Sequence, residues 1–157
     1  MNRETKENSL QNNVQVSLNL ISQYVLAIQN QNSVKMNELR SSNFVLDLVA
    51  GDAFDDNTLT ETETKRFWLT WFSAFSEYDY LVTRTIAADT VVVTEWCFTG
   101  TNTGKLESSI FGREFDPTNK TIQFRGVSIY EIEDNLITKE SLYMDLATLW
   151  VELGVGL

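Results

Sequence analysis

Near Phe75 the spacing of apolar residues changes from a helical to an extended period, and this switch restricts the chain to helices first and sheet afterwards. Upstream, Val14, Leu18, Ile21, Val25 and Ile28 recur at intervals of three and four, with Leu20, Tyr24 and Ala27 widening the stripe. The spacing predicts a core-facing helix over about 14–29. Ser33 is placed to cap a short second helix over 34–40, followed by an irregular stretch holding Phe44, Asp47, Asp52 and Phe54. Thr60 with Glu63 three residues later forms a capping-box pattern ahead of Phe67, Trp68, Trp71, Phe72 and Phe75. Downstream, residues 80–87, 90–99, about 105–115, 121–133 and 136–144 are rich in Val, Ile, Thr and aromatics and are divided by turn residues, so they read as sequential antiparallel strands. Asp145 caps a last helix that stops at Gly154. The order predicts an α+β domain with helices on one side of a meander.

The chain of 157 residues is 43% apolar, enough for one domain with a real core. The polar stretch 1–13 is expected to be a disordered tail and residues 14–157 a single domain. That stretch has no apolar run, so neither a signal peptide nor a membrane span is expected. With one cysteine, Cys97, no internal disulfide can form, and a cytosolic setting is expected. The chain has no histidine, which removes the usual zinc, haem and copper sites and the serine or cysteine triads that use an imidazole. No metal or organic cofactor is expected. Acid–base chemistry falls to Asp, Glu, Tyr or Lys. A formal charge of −10 repels phosphate backbones and anionic lipid, so neither nucleic acid nor membrane is an expected partner.

Four segments carry a family resemblance. Phe67-Trp68-Leu69-Thr70-Trp71-Phe72-Ser73-Ala74-Phe75 resembles a helix end of SnoaL-like polyketide cyclases, within the nuclear transport factor 2-like superfamily. Gly100-Thr101-Asn102-Thr103-Gly104 is similar to their Gly-Thr-His-Thr-Gly turn, and Pro117-Thr118-Asn119-Lys120 before Phe124-Arg125-Gly126-Val127 to a later turn and strand. Tyr143-Met144-Asp145 with Glu152-Leu153-Gly154 resembles their closing segment. The resemblance implies a cone: a curved antiparallel sheet with helices on its concave face, whose mouth takes a small apolar or aromatic molecule, often in a homodimer. It also implies cyclases that use an aspartate on the last strand. Here Leu142 occupies that position, Asn102 stands for the histidine of the turn, and Glu140 lies two residues before the cyclase acid.

A three-residue closure at Glu133-Asp134-Asn135 would set Ser128 opposite Glu140 and Gly126 opposite Leu142. Phe124, Gly126, Ser128, Tyr130, Thr138, Glu140, Leu142 and Met144 then share one face, and Arg125, Val127, Ile129, Glu131, Ile137, Lys139, Ser141 and Tyr143 the other. The resemblance turns the first set toward the cavity. Glu140 there reads as a desolvated acid with a raised pKa, or as a residue that reaches solvent at the sheet edge or pairs with Arg84 or Arg125. Asp47, flanked by Leu46, Leu48 and Val49, lies in a segment resembling the one that holds the base of ketosteroid-isomerase-like relatives. It reads equally as a loop residue bonding nearby backbone N–H groups. Trp71 and Trp96 are core aromatics that can also wall a pocket. Two functions are compatible with this pattern. One is a cofactor-free isomerase, cyclase or hydratase acting on a small apolar carbonyl compound. Asp47 or Glu140 then moves the proton, while Asn102, Ser128 or Tyr130 orients a developing enolate, with Trp71, Trp96 and Leu142 as further substrate contacts. The other is a non-catalytic small-molecule binder or dimeric interaction module.

Overall fold

The computed structural model describes residues 3–49, 58–106 and 114–154, with side chains from Leu10 onward. In chain order the elements are α1 (Arg3–Gln29), α2 (Ser33–Glu38), β1 (Arg40–Val49), β2 (Thr58–Leu59), α3 (Glu61–Ala74), β3 (Tyr78–Ala88), β4 (Val91–Thr101), β5 (Thr121–Glu133), β6 (Leu136–Met144) and α4 (Leu146–Leu153). The six strands form one curved, unclosed sheet ordered β2-β1-β6-β5-β4-β3. Neighbours pair antiparallel except β1 and β6, which run parallel.

Several local rules act as expected. Thr60 and Glu63 close a full capping box on α3, and Asp145 accepts from Thr148 N at the start of α4. Gly154 ends α4 at φ 76, in the left-handed region. Other expectations need correction. The cap of α2 is Asn32 rather than Ser33. The stretch 34–40 is shorter as a helix, because Arg40 already begins β1, and the segment read as irregular around Phe44 and Asp47 is that strand. Asp52, Phe54, Asp55 and Asp56 lie outside the described residues. So does most of the strand expected over 105–115, whose ends, Leu106 and Phe115, bridge each other instead of joining the sheet. Helical backbone begins at Arg3, within the stretch expected to be a tail. Its described side chains from Leu10 to Asn13 face solvent, and Asn13 and Ser17 tie α1 to Asp89 in the β3–β4 turn.

The core lies between the helices and one face of the sheet. Along β4, Val92, Thr94, Trp96, Phe98 and Gly100 are buried, and along β5 Ile122, Phe124, Ser128, Tyr130 and Ile132. From α3, Phe67, Trp68, Trp71 and Phe72 fill the space above them. Rings interlock there, Trp71 meeting Phe98 at 5.2 Å and Phe124 at 5.8 Å between centroids.

The β5–β6 hairpin closes through a two-residue turn, Asp134-Asn135, with φ 49 and 60, instead of the expected three-residue loop. The ladder then slips by one between Glu131 and Ile132, leaving Thr138 as the extra residue. Consequently Tyr130 faces Glu140, Ser128 faces Leu142 and Gly126 faces Met144. Ile137, expected on the outer face, lies on the turn side of the bulge, pairs with Ile132 and is buried.

Gly126 holds the floor of this core open. A Cβ there would overlap the Trp96 six-membered ring and the Tyr143 carbonyl. Gly126→Ala is expected to destabilise the fold by about 1–3 kcal/mol through overpacking. Urea unfolding with an unchanged m-value measures this; a shift under about 0.5 kcal/mol means that the indole is not held against this glycine.

Candidate functional site

The bulge at Thr138 determines which side chain of β6 enters the interior. With the two-residue turn alone, Lys139 would stand opposite Tyr130 and face the core; one extra residue exchanges it for Glu140. Glu140 is 0% exposed. Its Oε2 accepts a hydrogen bond from Tyr24 Oη at 3.1 Å. Tyr24 belongs to the inward stripe of α1 with Ile21 and Ile28. Arg40, 8% exposed at the start of β1, donates from Nε to the same Tyr24 oxygen at 3.0 Å and makes a second bond to it from Nη2. Its Nη1 donates to Asn37 Oδ1 at 3.4 Å, and its guanidinium carbon lies 4.3 Å from the Phe44 ring centroid. A cation, a phenol and a carboxyl thus form one buried chain, Arg40 to Tyr24 to Glu140.

Burial pushes the Glu140 carboxyl above its ordinary value. The Arg40 charge, the bond from Tyr24 and the nearby hydroxyls of Ser128 and Tyr130 oppose that push without cancelling it. Burial raises Tyr24, Tyr80 and Tyr130 as well, so all three phenols stay protonated. Among the described residues, Glu140 Oε1, Tyr130 Oη and Thr94 Oγ1 are buried without a formed hydrogen bond. They belong to neighbouring positions of β4, β5 and β6, where Thr94 faces Ser128 and Tyr130 faces Glu140. Such spare donor and acceptor capacity at one spot suits an oxygen function of a bound molecule.

Beside this polar spot lies an apolar chamber with about 20 Å³ of free space, walled by Trp68, Trp71, Tyr80, Trp96, Phe124 and Leu142 among others. Trp71, Trp96 and Leu142 line this chamber, whereas Glu140, Ser128 and Tyr130 lie behind its wall and do not line it. Trp96 Nε1 donates to Ser128 Oγ at 3.1 Å, linking the wall to the polar spot. Ser128 and Tyr130 join Glu140 inside the sheet.

Two expected site residues are placed elsewhere. Asp47 lies on the opposite face of the sheet from Glu140, because its neighbours Leu46 and Leu48 take the inward positions of β1. Its Oδ2 is 3.3 Å from Lys139 Nζ and accepts from Ser141 Oγ at 3.3 Å. Asn102 is buried, but its amide is fully engaged by the backbone around it. Nδ2 donates to Ala74 O and Gly104 O, and Oδ1 accepts from Thr118 N at 2.8 Å and Thr118 Oγ1. It clamps the end of α3 to the turn before β5 and does not line the chamber. The sequence reading missed Tyr24 and Arg40 as site residues; the only available signal was a phenol on an otherwise aliphatic stripe.

Because the folded pKa of Glu140 is raised above its unfolded value near 4.5, its protonated form favours folding. That contribution is complete below the unfolded value and is lost as pH rises through the folded value. Wild-type stability is therefore expected to fall with pH above about 4.5 in a way that Glu140→Gln does not. Urea midpoints from acid to neutral pH measure the difference, and parallel curves for the two proteins contradict it.

The sequence pattern of SnoaL-like polyketide cyclases matches residues 21–153. No protein of curated function matches the chain by sequence. Among solved structures, the AclR protein of Streptomyces galilaeus, assigned as a hydroxylase, superposes with a TM-score of 0.76 at 17% identity, covering 90% of this chain and 82% of its own. A SnoaL-like polyketide cyclase from Jannaschia sp. CCS1 gives 0.73 at 12% identity, covering 91% and 94%. An epoxide hydrolase of the LEH-like type from M. tuberculosis gives 0.62 at 15% identity, covering 91% and 92%. These likenesses establish the nuclear transport factor 2-like fold, and with the matched span of the sequence pattern the chain belongs to the SnoaL-like polyketide cyclase family.

Proposed function

We propose that this protein is a cofactor-free acid–base catalyst of the cyclase or isomerase type, acting on a small apolar carbonyl compound, with Glu140 as the group that moves the proton. One observation carries the reading: Glu140 is fully buried beside an aromatic chamber and, among the described residues, keeps one oxygen without a hydrogen-bond partner. As a carboxylate, Glu140 would take the α-proton of the bound carbonyl compound and, as the acid so formed, return it to carbon, its raised pKa bringing it nearer to that of the carbon acid. Tyr24 holds Oε2 and leaves Oε1 for the substrate. In this reading Tyr130 and Ser128 would hydrogen-bond the developing enolate oxygen, and Trp71, Trp96 and Leu142, which line the chamber, would contact the apolar body. A homodimer in the cytosol remains part of this reading. Among the described residues no helix is long and apolar enough to cross a membrane.

The chamber's volume of about 20 Å³ favours a second reading, a binder or interaction module without turnover. Mass spectrometry of small molecules retained by the purified protein, followed by NMR of α-proton exchange into each retained carbonyl compound in deuterium oxide, separates the two. The catalytic reading predicts exchange at least about 100-fold above buffer, lost in Glu140→Gln while ligand affinity stays within about threefold. Retention without exchange selects the second reading, and full exchange by Glu140→Gln rejects Glu140 as the proton carrier.

A further inference from the structure

A chamber of about 20 Å³ holds one water molecule, so a ligand with even a single ring requires a wall to move. Trp68 is the wall that the chamber shares with a surface groove between α2 and α3. The groove holds about 140 Å³ and is bounded by Met36, Asn37, Arg40, Lys65 and Leu69. At Asn37, Arg40 and Lys65 it meets a further space of about 370 Å³ that continues past Ser41 and Thr64.

The Trp68 indole is 6% exposed, yet among the described residues its Nε1 has no hydrogen-bond partner. A buried N–H left unpaired is a standing penalty of the closed arrangement. Ring contacts hold the indole instead, with Phe67 at 5.2 Å and Phe72 at 5.8 Å between centroids. Trp68 is the one lining residue common to chamber and groove, so its rotation would join the two and let a ligand acceptor reach the indole N–H.

The groove side carries cations. A guanidinium has five N–H donors, and Arg40 uses three of them on Tyr24 and Asn37. The remaining donors suit a carboxylate. Lys65 is nearby but already pairs with Glu61 at 2.5 Å, so selectivity for an acid rests first on Arg40.

We infer that chamber and groove are two compartments of one ligand site separated by the Trp68 indole, and that the ligand is an aromatic carboxylate. Its rings lie in the chamber against Trp71 and Phe124, and its carboxylate lies in the groove at Arg40. The inference rests on the proposed use of the chamber as a ligand site and adds the gate, the second compartment and the acid group.

Calorimetric titration with naphthoate and its neutral isostere naphthamide tests it. Trp68→Ala removes the partition, and Trp68→Leu serves if the larger deletion unfolds the chain, as circular dichroism would reveal. Naphthoate is expected to bind the Trp68 variant at least about 10-fold more tightly than wild type, and at least about fivefold more tightly than naphthamide binds that variant. Equal naphthoate affinity in wild type and variant overturns the gate, and equal affinity for acid and amide overturns the acid compartment. The same titrations on Glu140→Gln keep the readings apart, since binding requires no proton transfer. Loss of turnover in Glu140→Gln with no effect of Trp68 rejects the gate and leaves catalysis standing. Tighter binding in the Trp68 variant with no turnover by wild type leaves the gate standing and rejects catalysis.

Discussion

Taking a carboxyl out of water costs several kcal/mol unless a charge or a set of hydrogen bonds replaces its hydration. Glu140 meets that demand only in part. One oxygen is held by Tyr24, which is itself held by Arg40, and the other is left over. Arg40 reaches Glu140 through a phenol instead of touching it, so the cation moderates the acid without fixing it as a permanent ion pair. A directly paired carboxylate would be locked in its charged form, and an unaided one would stay protonated at all ordinary pH. The chain of three places Glu140 between these limits, where a proton can move.

The elements of the fold converge on this arrangement. α1 supplies Tyr24, the first residue of β1 supplies Arg40, and the bulge in β6 turns Glu140 inward and Lys139 outward. Regular pairing of Thr138 with Glu131, without the bulge, would bring the ammonium group of Lys139 opposite Tyr130 in place of an acid. Around the polar spot the rings of α3, β4 and β5 pack closely and leave only about 20 Å³ of free space, which strengthens the local electrostatics. The same packing that raises the Glu140 pKa is what a ligand must displace.

Much of the frame was legible in the sequence where the signals were local. The bounds of β5 and β6 follow from long alternating runs between clear turns, and the caps of α3 and α4 from their side chains. The inward placement of Glu140 was reached through a register two residues off. A three-residue loop and a two-residue turn with one bulged residue give the same parity, so the faces agree beyond the bulge and fail only at Ile137 and Thr138. β1 was missed because Ser41-Ser42-Asn43 breaks the alternation and its parallel partner is distant in the chain. The Tyr24–Glu140 bond spans 116 positions, and Arg40 sits at a helix-to-strand boundary, so no local pattern announced either. Asp47 looked buried by its neighbours, but strand alternation turns it away from them.

Carbon-13 NMR titration of the side-chain carboxyls, with Glu140→Gln to assign the Glu140 signal, tests the central claim most directly. The account predicts that the Glu140 signal titrates clearly above the ordinary value of 4.5 and moves higher still when Arg40→Gln removes the cation. A Glu140 signal that titrates at or below that value would show a solvated or directly paired carboxylate and would contradict it.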